Sequence, residues 1–215
     1  MKILKPFLAL LFCFLTLQLT AQISLGIKGG YVRAWEQYNL VLPDDAKIHV
    51  NRFQVSALAY YQVNNYVSLG VEPGFTQRGA ACVPGFILFR DEVKLLLNYL
   101  ELPLMISVNV PLCEDKMEVF GKLGFGTARV IAAFREESSQ LGDEPPIRTR
   151  LNTSFPSIFR RWDYGIYSGF GFAIDIGADQ LYVESSYFHG LRDVDVFNNS
   201  KNRSLHFAIG YMVRL

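Results

Sequence analysis

LLLNYLELPLMISVNV, residues Leu95 to Val110, is almost entirely apolar, yet it places Glu101 and Pro103 near its centre. A proline inside a helix removes a hydrogen bond and clashes with the preceding turn, so a helix does not suit this stretch. Read with a period of two, it separates cleanly. Leu100, Leu102, Leu104, Ile106 and Val108 share one face, and Tyr99, Glu101, Pro103, Met105 and Ser107 share the other. The first face is wholly apolar. The second carries a carboxylate, which must find water or partners if it is buried.

The same period recurs along the chain. In SLHFAIGYMVRL, Leu205, Phe207, Ile209, Tyr211, Val213 and Leu215 form one apolar face, while His206, Ala208, Gly210, Met212 and Arg214 form a mixed one. Eight such segments are predicted as strands: Leu25–Trp35, Arg52–Val63, Tyr66–Gln77, Lys94–Asn109, Met117–Arg135, Phe159–Asp175, Gln180–Leu191 and Arg203–Leu215. Each exceeds the roughly 9–11 residues that a tilted strand needs to cross a bilayer. Their connections alternate. Asn64-Asn65, Val110–Lys116 and Ile176–Asp179 are short turns, whereas Glu36–Asn51, Arg78–Val93, Glu136–Ile158 and Arg192–Asn202 are long loops. Short turns at one end and long loops at the other predict an all-β, eight-stranded antiparallel up-and-down transmembrane β-barrel. An even strand number puts both termini on the short-turn side.

Composition agrees with that reading. The 215 residues carry a net charge of +1, with 19% charged and 14% aromatic residues and 17 glycines. Such a balance gives nucleic acid nothing to bind, and so few charges are unusual for a soluble enzyme. Residues 1–21 predict a cleaved secretory signal peptide. Lys2 and Lys5 precede the apolar FLALLFCFLTLQL, and Ala21 offers a small residue before the cut. Residues 22–215 then form the barrel domain. After Ala21 no apolar run is long enough for a spanning helix, so any membrane crossing must be made by a closed barrel. The expected location is the cell outer membrane, with outer-membrane lipid as the surrounding partner.

The chain resembles the PorT-type outer-membrane β-barrel family. The likeness runs through Gly26, Lys28 and Gly30, then Tyr99-Leu100-Glu101-Leu102-Pro103-Leu104, then Gly121, Gly124 and Gly126. It continues through Asp163, Gly165, Gly169 and Gly171, then Glu184, Tyr187, Gly190 and Leu191, and ends on Gly210-Tyr211. Ser186 and His189 depart from the pattern, which more often has Arg before the Tyr and an aromatic at the second position. The family's namesake is linked to protein secretion and gliding machinery. The resemblance therefore implies a non-enzymatic scaffold or accessory of an envelope or secretion complex, with a protein of that complex as partner.

Other chemistries fit the residues less well. GKLGFGTA and GIYSGFGF contain Gly-x-Gly but sit within strand patterns, not before a helix start, so no nucleotide cofactor is expected. His49, His189 and His206 lack metal-ligand spacing, and no metal is expected. A lipid-modifying enzyme would need a Ser, a His and a carboxylate together. Ser185 and His189 share a face, but four residues of strand separate them by roughly 13 Å, so no catalytic residue is assigned. The inward charges Lys28, Glu72, Glu101, Lys122 and Glu184 could line a small pore or bind a ligand. An eight-stranded barrel is only wide enough to be filled by its own side chains, so an interlocked structural network is the preferred reading. In it, Glu101 is expected beside Glu72 and Lys122. Cys82, in a long loop, and Cys113, in a short turn, should lie at opposite ends and stay unpaired.

Overall fold

The computed structural model describes residues 23–37, 49–82, 92–112, 116–138, 145–152, 160–177, 179–194 and 200–215. The expected signal peptide and Cys113 lie outside them. Among the described residues ten strands form one antiparallel sheet: β1 (Ile23–Gln37), β2 (Val50–Gln62), β3 (Val67–Val71), β4 (Gly74–Cys82), β5 (Glu92–Leu112), β6 (Met117–Ser138), β7 (Ile147–Leu151), β8 (Trp162–Ile176), β9 (Asp179–Asp193) and β10 (Lys201–Arg214).

The sheet closes on itself. β1 pairs with both β2 and β10, and pairing continues through β9, β8, β6 and β5 to β3 and β4, which return to β2. Eight staves make the ring, because β3 and β4 are two halves of one stave in continuous register against both neighbours. Two prolines cause the interruption. Glu72 N–H donates to Pro103 O at 3.1 Å, but Pro103 has no N–H to return the bond. On the other side Ala57 N–H donates to Pro73 O at 2.9 Å, and Pro73 likewise has nothing to return.

Register gives the barrel its tilt. The pairing path Leu25–Ala59–Val71–Leu104–Phe125–Ile166–His189–Arg203 returns to β1 at Trp35. One circuit therefore climbs from residue 25 to residue 35 of the same strand. That stagger inclines the strands and leaves a lumen that side chains can fill.

The two faces separate as the alternation requires. Leu100, Leu102, Leu104, Ile106 and Val108 are exposed, as are Phe170, Phe172, Ile174, Phe207 and Ile209. Together they make an apolar outer belt. Tyr61, Tyr66 and Tyr211 border it at the short-turn end and Trp162 and Tyr164 at the long-loop end, levels where amphipathic rings suit a membrane interface. Inside, bulky rings occupy the space that glycines leave open. A Cβ on Gly210 would press into the Tyr182 ring, and one on Gly70 into the Tyr60 ring.

Several expected boundaries move. The third segment runs past Gln77 to Cys82, so Arg78 and Cys82 belong to a strand and not to a loop. β5 and β6 extend to Glu92 and Ser138, and β7 pairs with the end of β6 inside the expected loop Glu136–Ile158. β10 begins at Lys201, which takes Asn202 out of the loop as well. The cause is a hairpin that outgrows the barrel. A register shift between Asn98 and Tyr99 leaves Ile131 of β6 without a partner, a bulge that bends the hairpin. Above the bend Leu96 and Phe134 pack on Val32, Ala34 and Val50 of β1 and β2, and Arg52 reaches Glu136 at 3.9 Å. On the other face Leu97 and Ala133 pack with Val194, with Leu95 and Leu151 against them. Both faces are covered, so a period of two is no longer readable in Leu95-Leu96-Leu97. The hairpin leans across the long-loop mouth.

Candidate functional site

The interior holds a series of polar layers. At the short-turn mouth Arg214 Nη1 and Nη2 each lie 3.0 Å from an oxygen of Asp175, and Gln180 Nε2 bridges Asp175 at 3.2 Å and Glu118 at 3.3 Å. Beside them is a cavity of about 50 Å³, lined by Ser68, Ser107, Asn109 and Lys122 among others, with room for one or two waters.

Four residues further along β6 and β9, the lumen holds a closed set of charges. Lys28 Nζ lies 2.5 Å from Glu72 Oε2 and 2.5 Å from Glu184 Oε1. Lys122 Nζ lies 3.1 Å from Glu72 Oε1 and 2.8 Å from Glu184 Oε2. Two cations and two anions thus alternate in a closed square, drawn from β1, the β3–β4 stave, β6 and β9. Tyr60 donates its hydroxyl to Glu72. Lys122 also sits about 5 Å from the ring centres of Tyr60, Phe120 and Tyr182, so aromatic faces surround the part of the ammonium not facing a carboxylate. Every member of the square has two partners of opposite sign, the condition under which buried charges persist.

Glu101 lies inside but not in this square. Its partners are Arg78 Nη2 at 2.5 Å, Tyr167 Oη at 2.8 Å and Thr76 Oγ1 at 2.6 Å. Four of the five expected residues therefore come together, and Glu101 anchors a second cluster nearer the long loops. The reason is the extra reach of β4, which carries Arg78 into the lumen. Arg78 Nη2 also donates to Tyr167 Oη at 2.7 Å, and its Nη1 approaches Asp163 Oδ2 at 3.8 Å. Its guanidinium carbon lies 3.8 Å from the Phe188 ring centre. Asn202 Nδ2 joins Asp163 at 2.8 Å to Tyr99 Oη at 2.9 Å. Sequence reasoning missed Arg78, Asp163 and Asn202. Arg78 shares its alternation with Gly74 and Thr76, and that parity is the signal that points it inward.

His206 is buried between Ser204 Oγ and Gln54 Oε1, each 2.7 Å from a ring nitrogen. His49 packs edge-on to Trp35 at 5.2 Å between ring centres. Ser185 and His189 share the outward parity of β9 four residues apart, with no hydrogen bond between them among the described residues. No group of three His, Cys, Asp or Glu side chains is placed to hold a metal ion among the described residues.

A closed antiparallel ring with an apolar belt outside and paired charges inside is the architecture of an integral outer-membrane barrel. The model of the outer membrane protein beta-barrel domain matches residues 18–196, and the chain belongs to that family. It is an integral protein of the outer membrane, set in lipid. No curated protein matches it. Among solved structures it is similar to a major outer membrane protein from Thermus thermophilus (TM-score 0.49, 11% identity, 91% of this chain and 100% of that one). It is also similar to the outer membrane protein OprG from Pseudomonas aeruginosa (TM-score 0.48, 11% identity, 89% and 95%). A third is Neisserial surface protein A (TM-score 0.46, 11% identity, 89% and 97%).

Proposed function

We propose that this barrel is a sealed, non-enzymatic scaffold, serving as an accessory of an envelope or secretion complex as its resemblance to PorT-type barrels implies. The observation that carries the reading is the square of Lys28, Glu72, Lys122 and Glu184, which ties four staves together across the lumen. A conducting path needs water-lined space at that level, and here each charge is committed to two neighbours. The hairpin of β5 and β6 leaning over the long-loop mouth supports the same view.

Planar-bilayer recording tests it. The reconstituted wild-type protein should leave the membrane electrically silent, and stepwise currents would favour a small pore instead. Lipid A mass spectra from cells with and without the protein should match; a new or missing acyl chain would favour a lipid-modifying enzyme. Affinity capture from intact outer membrane should recover an envelope protein in stoichiometric amount.

A further inference from the structure

Two arginines lie against the outward aromatic pair at the long-loop end of the barrel; Arg129 has no carboxylate beside it among the described residues, whereas Arg192 is followed directly by Asp193. Arg129 on β6 is exposed and stands directly opposite Trp162 on β8, its guanidinium carbon 5.8 Å from the ring centre. Near the end of β9, the guanidinium carbon of Arg192 lies 5.9 Å from the ring centre of Tyr164. Trp162 and Tyr164 alternate outward on β8, 52% and 39% exposed. The neighbouring outward side chains are Leu100, Thr127, Ile131 and Ile166, none of them acidic. Of the nearby acids, Asp163 points into the lumen and is 1% exposed, and Asp193, half-buried, follows Arg192 at the end of β9. Arg160, also exposed, adds a third positive charge just before β8.

Arg129, a cation at the edge of an apolar belt and facing lipid, has no counterion here from the described residues of its own chain. Tryptophan and tyrosine sit at headgroup level, so the two guanidinium groups beside them stand where lipid phosphates are. A guanidinium lying over a ring keeps its N–H edges free, and phosphate accepts such edges in charge-assisted pairs. We propose that Arg129, Trp162, Tyr164 and Arg192 bind the phosphate group of an acylated, phosphorylated lipid of the outer leaflet. The acyl chains then lie along Leu102, Phe125 and Ile166, which are exposed immediately below. This assignment concerns the outer wall and is independent of whether the lumen conducts.

The test is binding of a bisphosphorylated, acylated disaccharide lipid to the folded full chain, read by native mass spectrometry. The same lipid stripped of phosphate serves as comparison. Removing the phosphates should weaken binding to the wild type by about tenfold or more, the scale of one charge-assisted contact. Arg129→Gln with Arg192→Gln should cause a similar loss for the phosphorylated lipid. Arg33→Gln, exposed on β1 across the ring from β6, should leave binding unchanged. Heat-modifiable migration confirms that each variant is folded, and the wild-type comparison needs no variant. Equal binding of the stripped lipid would overturn the proposal. So would an equal loss from Arg33→Gln, or displacement of the lipid by millimolar inorganic phosphate, which would mark a plain anion site.

Discussion

Arg78 Nη2 and Glu101 Oε2 lie 2.5 Å apart, in the middle of the barrel, with both side chains shut off from solvent. Removing Arg78 strands Glu101, while removing Glu101 leaves Arg78 only the more distant Asp163. Arg78→Met should leave Glu101 and Asp163 buried without a cation, at a cost of about 3–5 kcal/mol. Adding Glu101→Gln to that variant should recover part of the loss, because the stranded carboxylate is gone. Urea titration followed by heat-modifiable migration measures both. A double variant no more stable than Arg78→Met would show that the two groups are not coupled.

The two faces should tolerate substitution differently. Leu102→Arg or Ile209→Arg puts a charge on the outer belt and should cost about 2–4 kcal/mol near the midplane. Ala208→Ser, on the inward face opposite Glu184, should cost far less, since polar partners surround it. Equal losses in the same unfolding titration would mean the faces are reversed.

Tyr182 and Gly210 form a fitted pair. Gly210→Ala drives a methyl into the ring and should destabilise by about 1–3 kcal/mol, the usual scale for an overpacked interior. Tyr182→Leu should relieve that cost in the double variant. Simple additivity of the two changes would argue against the contact.

Much of this was legible in the sequence, and the limits have physical causes. Alternation carries the fold wherever lipid lies on one side and the lumen on the other, as at Leu100 to Val108. It fails at Leu95 to Leu97, where the bent hairpin is packed on both faces. The square was readable in part, since Lys28, Glu72, Lys122 and Glu184 each sit at an inward parity. Who meets whom was not. Pairing depends on stagger, and stagger depends on how eight staves close. Arg78 reads as the start of a loop because a charge follows a strand pattern. Its parity with Gly74 and Thr76 points it inward once β4 is seen to reach that far, and there it is the counterion of Glu101.

The two cysteines test the end-to-end arrangement. Cys82 pairs in register with Val93, near one end of β5, while Cys113 directly follows Leu112 at the other end. Roughly 60 Å of strand separates those ends, against about 7 Å allowed between the Cα atoms of a disulfide. Non-reducing peptide mapping of the folded protein should find no Cys82–Cys113 link. A membrane-impermeant maleimide applied to whole cells should label Cys82 and spare Cys113.

The square of charges also sets a chronology. Lys28 belongs to the first strand and Glu184 to the last but one, so their contact forms only when the newborn sheet curls and its two edges meet. Until that moment a half-made barrel carries ions with missing counterparts on its concave side, which holds it to wet or protein-lined surroundings and away from bare hydrocarbon. A slip of one residue at the closing seam would turn Lys28 toward lipid. Correct zipping of β1 against β10 is therefore rewarded all at once.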